Sequence, residues 1–255
     1  MAEELTTKKP ATFSDAMSAE LVRVHEALPK GFNQTRFVQN AISLLNEHPE
    51  LQKYNQSSIK AGLLKGAYLG LDFYSKECYL IPYGNSLNFM IDYRGSKKLA
   101  KKYSIRPIRD IDAKIVREGD VFETETVDGN DKFTFKPKAF SDAPIVGAFA
   151  YVVFMDGGTS VEVMSKAEIE KTRSHSRAKN AMAWSDFYEE MAKKTVIHRI
   201  CKHIEIELEN PHQQEIVNED NNTLDNEKSD YKPHDVYANP EPQDTVEVDA
   251  VPVEE

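Results

Sequence analysis

LGLDFYSKECYLIPYGNSLNFMIDYRGSKKLAKK, residues 69–102, is the segment around which the fold is built. Residues 77–83 and 86–91 are short runs of alternating and aromatic character joined across Gly84-Asn85, the composition of a tight β-hairpin. At Asp92 the period changes. Tyr93, Leu99, Ala100 and Tyr103 stand among Arg94, Lys97, Lys98, Lys101 and Lys102, which predicts a helix with one apolar stripe and a cationic flank. A hairpin feeding a basic helix can hold phosphate. Cations on a helix are also ordinary solvated surface, so the pattern alone leaves both readings open.

The residues themselves narrow the choice. Leu69-Gly70-Leu71, then Glu77-Cys78-Tyr79-Leu80-Ile81-Pro82-Tyr83-Gly84, then Asp92-Tyr93-Arg94-Gly95 with Leu99-Ala100, resemble the signature of the RecT family of phage recombinases. A second block agrees: Trp184, Phe187, then Glu190-Met191-Ala192-Lys193-Lys194-Thr195-Val196-Ile197-His198-Arg199 and Lys202 is similar to that family's Trp-Phe-Met-Lys-Thr-Arg-Lys helix. Two long collinear blocks are far more specific than a short motif. The resemblance spans residues 37–202, and one departure is Ser96, where the family more often has a larger apolar residue.

Bulk properties are compatible with this. A chain of 255 residues, 40% hydrophobic, can bury a sizeable core without staples. Cys78 and Cys201 have neither zinc-site spacing nor polar surroundings and read as reduced, core or near-core thiols. No apolar run approaches the roughly twenty residues of a membrane span, and the first ten residues lack the apolar centre of a secretory signal. The expectation is a cytoplasmic protein with no membrane partner.

The net charge of −10 conceals an asymmetry. Residues 211–255 hold thirteen acidic and two basic residues, a net of −11, which leaves +1 for residues 1–210. Within that near-neutral body the cations bunch. Residues 94–117 hold nine Lys or Arg against Asp110 and Asp112, and residues 171–202 hold eight against Asp186, Glu189 and Glu190. Local clusters matter because charge beyond roughly 8 Å is screened at physiological salt.

Three helices are expected before the signature, over residues 16–27, 35–47 and 57–68. In the last, Gly62 and Gly66 lie four apart, a spacing that serves close packing more often than function. After the signature the pattern is β, over residues 106–116, 121–127, 131–137, 144–155 and 160–164, with turns at Asp128-Gly129-Asn130 and Asp156-Gly157-Gly158. Ser165-Lys166-Ala167-Glu168 is a capping box opening a further helix. A polar, basic loop over residues 174–180 comes next, suited to phosphate. One long helix over residues 183–207 then carries a Trp184, Phe187, Tyr188, Met191, Thr195 and Ile204 stripe, most simply core, with cations on its other faces.

The expected fold is therefore α+β: a twisted, mainly antiparallel sheet with hairpins packed against several helices, and a disordered acidic C-terminal tail. Residues 1–30 read as a flexible N-terminal region with a possible short helix, 31–210 as the DNA-binding, annealing and oligomerisation domain, and 211–255 as the tail, too poor in large apolar residues to offset ordering entropy.

No Gly-x-x-x-x-Gly-Lys-Ser/Thr loop is present, so neither ATP nor another cofactor is expected. Asp92, Asp110, Asp112 and Asp120 leave one enzymatic alternative, a metal-dependent nuclease, although such residues in hairpins are usually turn formers and solvated faces. The family resemblance implies instead a non-enzymatic, ATP-independent annealer of complementary single strands, phage- or prophage-encoded and acting in the bacterial host. It further implies a homo-oligomeric ring or helical filament and a partner 5'-3' exonuclease. The host single-strand-binding protein is a further possible contact. Both single-stranded DNA and the annealed duplex would be ligands. The candidates for contact are Tyr93, Arg94, Lys97, Lys98, Lys101 and Lys102, then Lys114, then Arg173, Arg177, Lys179, Lys193, Lys194, Arg199 and Lys202.

Overall fold

In the computed structural model, which describes residues 12–176 and 179–225, the signature stretch stands between two hydrophobic cores. The first is built on α1 (Phe13–Arg23), α2 (Gln34–Glu47) and α3 (Gln56–Leu69). Short polar side chains start each of them: Thr12 and Asp15 form a capping box, Asn33 accepts from the Arg36 amide, and Asn55 accepts from the Ser57 amide. The α3 helix ends on Gly70, whose φ of 66° is the left-handed conformation that releases the chain.

β1 (Cys78–Tyr83) and β2 (Ser86–Ile91) pair antiparallel, Tyr83 opposite Ser86, so Gly84-Asn85 is the two-residue turn the sequence predicts. This hairpin lies on α3. A Cβ at Gly62 would collide with Leu80, and one at Gly66 would stand 2.6 Å from the Phe73 ring, so the glycine spacing serves packing.

α4 (Tyr93–Tyr103) serves both cores. Leu99 and Tyr103 are buried in the first and Ala100 in the second; neighbouring helical residues point roughly 100° apart, so one helix can do this. Its entry is fixed by Gly95, where any Cβ would strike the Glu77 carbonyl oxygen.

The second core rests on a sheet. β3 (Ile108–Arg117) is followed by a separate hairpin, β4 (Val121–Val127) and β5 (Asn130–Lys136), turning on Asp128 and Gly129 with φ of 50° and 74°. β6 (Ile145–Phe154) then pairs antiparallel with both β3 and β7 (Thr159–Ser165), giving the order β3-β6-β7. Alternation sorts the two faces. Ile111, Ala113, Ala148, Ala150 and Val152 are buried in the second core. On the opposite face Phe149 is covered by Phe122, Phe133 and Phe135 of the β4–β5 hairpin, at ring separations of 4.5, 5.4 and 5.1 Å.

α5 (Lys166–His175) opens with the expected capping box, and α6 (Met182–Asp186) and α7 (Tyr188–Lys202) complete the second core. Four expectations change. All strand pairs are antiparallel, but they form three separate sheets instead of one, because the β1–β2 hairpin joins the helical core. The long helix expected over residues 183–207 breaks at Phe187 (φ −128°, ψ 41°), which turns that ring out to 62% exposure instead of into the stripe. It ends at His203, after which Ile105 and Glu207 amides bond to the Glu205 and Tyr103 carbonyls across the end of α4.

Residues 211–225, expected to begin the disordered tail, form α8 (Pro211–Asp225). Ile216 enters the first core, while the Gln213 amide donates to the Tyr68 carbonyl (2.8 Å) and the Tyr103 hydroxyl (3.2 Å). Asp220 accepts from the Ile91 amide at 2.9 Å. Composition hides this because the apolar part of the docking is small, Ile216 with Val217, and the rest is polar: Gln213, Asp220, His212 stacked on Tyr68, and Glu219 paired with Lys65. Residues 1–11 and 226–255 lie outside the described residues.

Candidate nucleic-acid interface

The two sequence blocks meet between α4 and α7, where the contacting residues Asp92 and Lys194 are 102 positions apart in the chain. Asp92 caps α4, accepting from the Arg94 amide at 3.2 Å, and its side chain is only 3% exposed. Its other oxygen is 2.8 Å from the Lys194 ammonium. Lys194 also lies 5.5 Å from the Tyr93 ring centre, and Arg94 donates from Nε to the Tyr93 hydroxyl at 3.3 Å. One turn on, Ser96 Oγ is 3.4 Å from His198 Nδ1. A larger apolar residue at 96 would occupy the place of this polar contact. Burial lowers the His198 imidazole to about 4, so it is neutral there.

The cations of α4 divide by what they touch. Lys98 is committed to structure, donating to Glu77 (2.7 Å) and to the Gly70 carbonyl (2.8 Å). Arg94, Lys101 and Lys102 are exposed and Lys97 half-buried. Lys101 pairs with Asp110 at 3.1 Å, and that hydrogen bond holds the Asp110 carboxyl below its ordinary value. Lys102 lies 4.6 Å over the Tyr103 ring. Lys97 makes no ion pair among the described residues, and its field reaches both Asp110 and Asp112. Lys114 is on the adjoining strand, paired with Asp112 at 2.7 Å. Lys97, Lys101 and Lys114 thus cluster with Asp110 and Asp112.

The remaining candidates are placed elsewhere. Arg199 bridges α7 to Glu162 (2.8 Å) and Glu168 (3.6 Å), tying the helix to β7 and to the capping box of α5. Lys193 pairs with Glu190 one turn back, and Lys202 is exposed in the last turn of α7. Arg173 donates to the Lys179 carbonyl at 2.9 Å and sits 5.4 Å from the Trp184 ring. Lys179 is exposed. Arg177 lies outside the described residues.

The carboxylates do not form a metal centre. Asp92 is engaged by Lys194, Asp110 by Lys101 and Asp112 by Lys114, and Asp120 accepts from the Arg117 and Lys138 amides at 2.8 and 2.7 Å. Among the described residues, no group of three or more His, Cys, Asp or Glu could hold a metal ion. None of the described helices is long and apolar enough to cross a membrane.

The model of the RecT family matches residues 35–233. This chain belongs to the RecT family. It is 33% identical over 193 residues to Protein RecT of Escherichia coli (strain K12), covering 72% of this chain and 71% of that protein. It is also 27% identical over 194 residues to the uncharacterized protein YqaK of Bacillus subtilis (strain 168), covering 74% and 66% respectively. Membership carries the function of a single-strand annealing recombinase, and nothing supports the nuclease alternative. In this RecT-family chain, sequence reading missed Lys30 and Arg36, which join Lys102 around a cavity between α2 and α4. Lys30 sits in Pro-Lys-Gly, legible only as a helix stop.

Proposed function

We propose that this protein grips the sugar-phosphate backbone of single-stranded DNA along the α4 surface and leaves the pairing edges of the bases outward. A complementary strand can then test register by base pairing, so sequence recognition belongs to the DNA. The observation that carries the reading is the union of the two family blocks at Asp92 and Lys194, which fixes Tyr93 and Arg94 beside the Lys97, Lys101 and Lys102 face. Contacts of this kind are sequence-neutral and salt-sensitive. Exposed Phe187 and Met182, 62% and 70% accessible, are suited to stacking or wedging against bases.

In this reading the protein acts by binding and breaks no bond. One protomer covers few nucleotides, so annealing proceeds on a homo-oligomeric ring or helical filament. Resection by a 5'-3' exonuclease supplies the strand, and the host single-strand-binding protein is displaced or contacted as it loads. The folded body, extended to residue 225, carries DNA and oligomer contacts in the bacterial cytoplasm. Mixing labelled complementary oligonucleotides with the protein in EDTA, without nucleotide, tests the reading: annealing of intact strands supports it, and a strict need for ATP refutes it.

A further inference from the structure

We propose that the cavity between the N-terminus of α2 and the end of α4 is a second phosphate site, which carries the DNA strand from the sheet-side cations of α4 onto the helical core. This rests on the DNA-binding reading above and names a subsite for it. The cavity, about 210 Å³, is lined by Lys30 from the loop before α2, Arg36 from α2 and Lys102 from α4, with Asn33 and Gly70 among its walls. Three cations therefore converge from three separate segments.

The charges there are available. Lys30 is exposed and has no hydrogen-bond or ion-pair partner among the described residues, and the amine of Lys102 rests only against the Tyr103 ring, 4.6 Å away. Asp72 is the one acidic residue in the lining. It is already satisfied without Arg36: Oδ2 accepts from Asn40 at 2.8 Å, and Oδ1 from the Tyr74 amide at 2.8 Å and the Ser75 amide at 3.4 Å. The Arg36 contact to it is 3.3 Å, with the arginine side chain 68% exposed. The arginine end of the pair is solvated while the Asp72 side chain is only 12% exposed, and the contact is long for a charged hydrogen bond. The guanidinium can turn from Asp72 to an anion, and the lining sets three positive charges against Asp72, a net of +2. The first turn of α2 contains no acidic side chain, so its amide end adds to the positive field without opposition.

Continuity selects a strand over an isolated anion. Lys102 follows Lys101 on α4, and Lys101 reaches β3 through Asp110. A backbone held at Lys97 and Lys101 has to turn around α4 by roughly 100° to reach Lys102 and the cavity. The proposed occupant is one phosphodiester of a single strand, bound without regard to sequence.

The test uses the full chain and fluorescein-labelled oligo-dT in a salt titration, comparing the native protein with K30Q/R36Q and K97A/K101A. Loss of one phosphate contact lowers the salt slope by about 0.7, which at 0.1 M salt is roughly a fivefold loss of affinity. That loss in K30Q/R36Q, equal for mixed-sequence oligonucleotides, is the expected result. The single variant Lys30→Glu, in an exposed loop position, changes the local charge by the same amount as the double variant, should weaken binding comparably, and guards against misfolding of the double variant. If both variants bind like the native protein while K97A/K101A is weakened, the cavity proposal fails and the DNA reading stands. If the native protein binds no oligonucleotide, both fail together. Equilibrium dialysis with radiolabelled orthophosphate separates the other source: retention abolished by K30Q/R36Q, with an unchanged oligonucleotide slope, identifies a free-anion site and overturns the strand assignment.

Discussion

The carboxylate of Asp92 lies 2.8 Å from the ammonium of Lys194, and the aspartate is almost wholly buried while the lysine keeps 34% of its side chain in solvent. Removing one member of a buried pair costs more than removing both, because the survivor is left uncompensated. Asp92→Asn and Lys194→Met should each lower stability by about 2 kcal/mol, and the double variant by clearly less than their sum. Urea denaturation of the four proteins gives the coupling. Strict additivity would mean that the pair does not hold α4 to α7.

Lysines of one helix should separate into two behaviours. Lys97→Ala with Lys101→Ala should leave the melting temperature nearly unchanged and reduce the single-strand salt slope by about 1.4. Lys98→Ala should do the opposite, since it strips Glu77 and the Gly70 carbonyl of their donor. Anisotropy and thermal melts on both variants check the division, and a helix whose loss of Lys97 and Lys101 leaves affinity and slope untouched is only solvated surface.

His198 gives a signed pH dependence. Its folded value, about 4, is set first by burial and lies below the ordinary value near 6.5. The unfolded chain therefore binds the proton first, so the stability tied to neutral His198 is complete above pH 6.5 and is lost as pH falls towards 4. The residue as a whole is only half-buried, so the loss is on the order of 2 kcal/mol. Asp220 acts in the other direction: burial raises it to about 7, so its contribution falls as pH rises from about 4 to 7. Subtracting His198→Gln from the native protein at pH 7.5, 6 and 5 isolates the histidine. A difference that stays constant across the series would contradict the buried, neutral assignment.

Two truncations separate the role of α8 from that of residues 226–255. Ending the chain after Asn210 removes Ile216, Gln213 and Asp220 from their contacts and should destabilise the protein by about 3 kcal/mol or more. Ending it after Asp225 removes a net charge of −7 and none of those contacts. The melting temperature should hold, and affinity for non-cognate DNA should rise at 0.01 M salt and converge by 0.1 M, as the Debye length contracts from about 30 to 10 Å. Equal affinity at the lowest salt would show that residues 226–255 do not compete for the cationic surface.

Elements whose cause is local were legible in the sequence. Gly84-Asn85, Asp128-Gly129, the Ser165 and Glu168 capping box and the stripe of α4 each act over a few residues, and all stand where the pattern puts them. What was hidden depends on distant partners. Nothing near Gly95 announces the Glu77 carbonyl, and nothing in residues 211–225 announces that Gln213 will meet Tyr68 and Tyr103. The cationic surface was legible as composition but not as availability. Lys97 and Lys98 are adjacent and identical in type, yet Lys98 is held by two acceptors of the first core and Lys97 is not. Lys30 and Arg36 carried no signal, because one is a lone cation in a helix-stop loop and the other a lone cation in α2 until α4 brings Lys102 beside them.

DNA held along α4 must keep its bases open for pairing if this surface is where annealing takes place. The direct measurement is the rate at which fluorophore- and quencher-labelled complementary oligonucleotides anneal in EDTA without nucleotide, compared for the native protein and K97A/K101A. The native protein should accelerate annealing of intact strands well above the spontaneous rate, and the variant, folded as judged by circular dichroism, should lose most of that acceleration. Acceleration that is unchanged in the folded variant, or strands that bind without annealing, would contradict the assignment of α4 as the annealing surface.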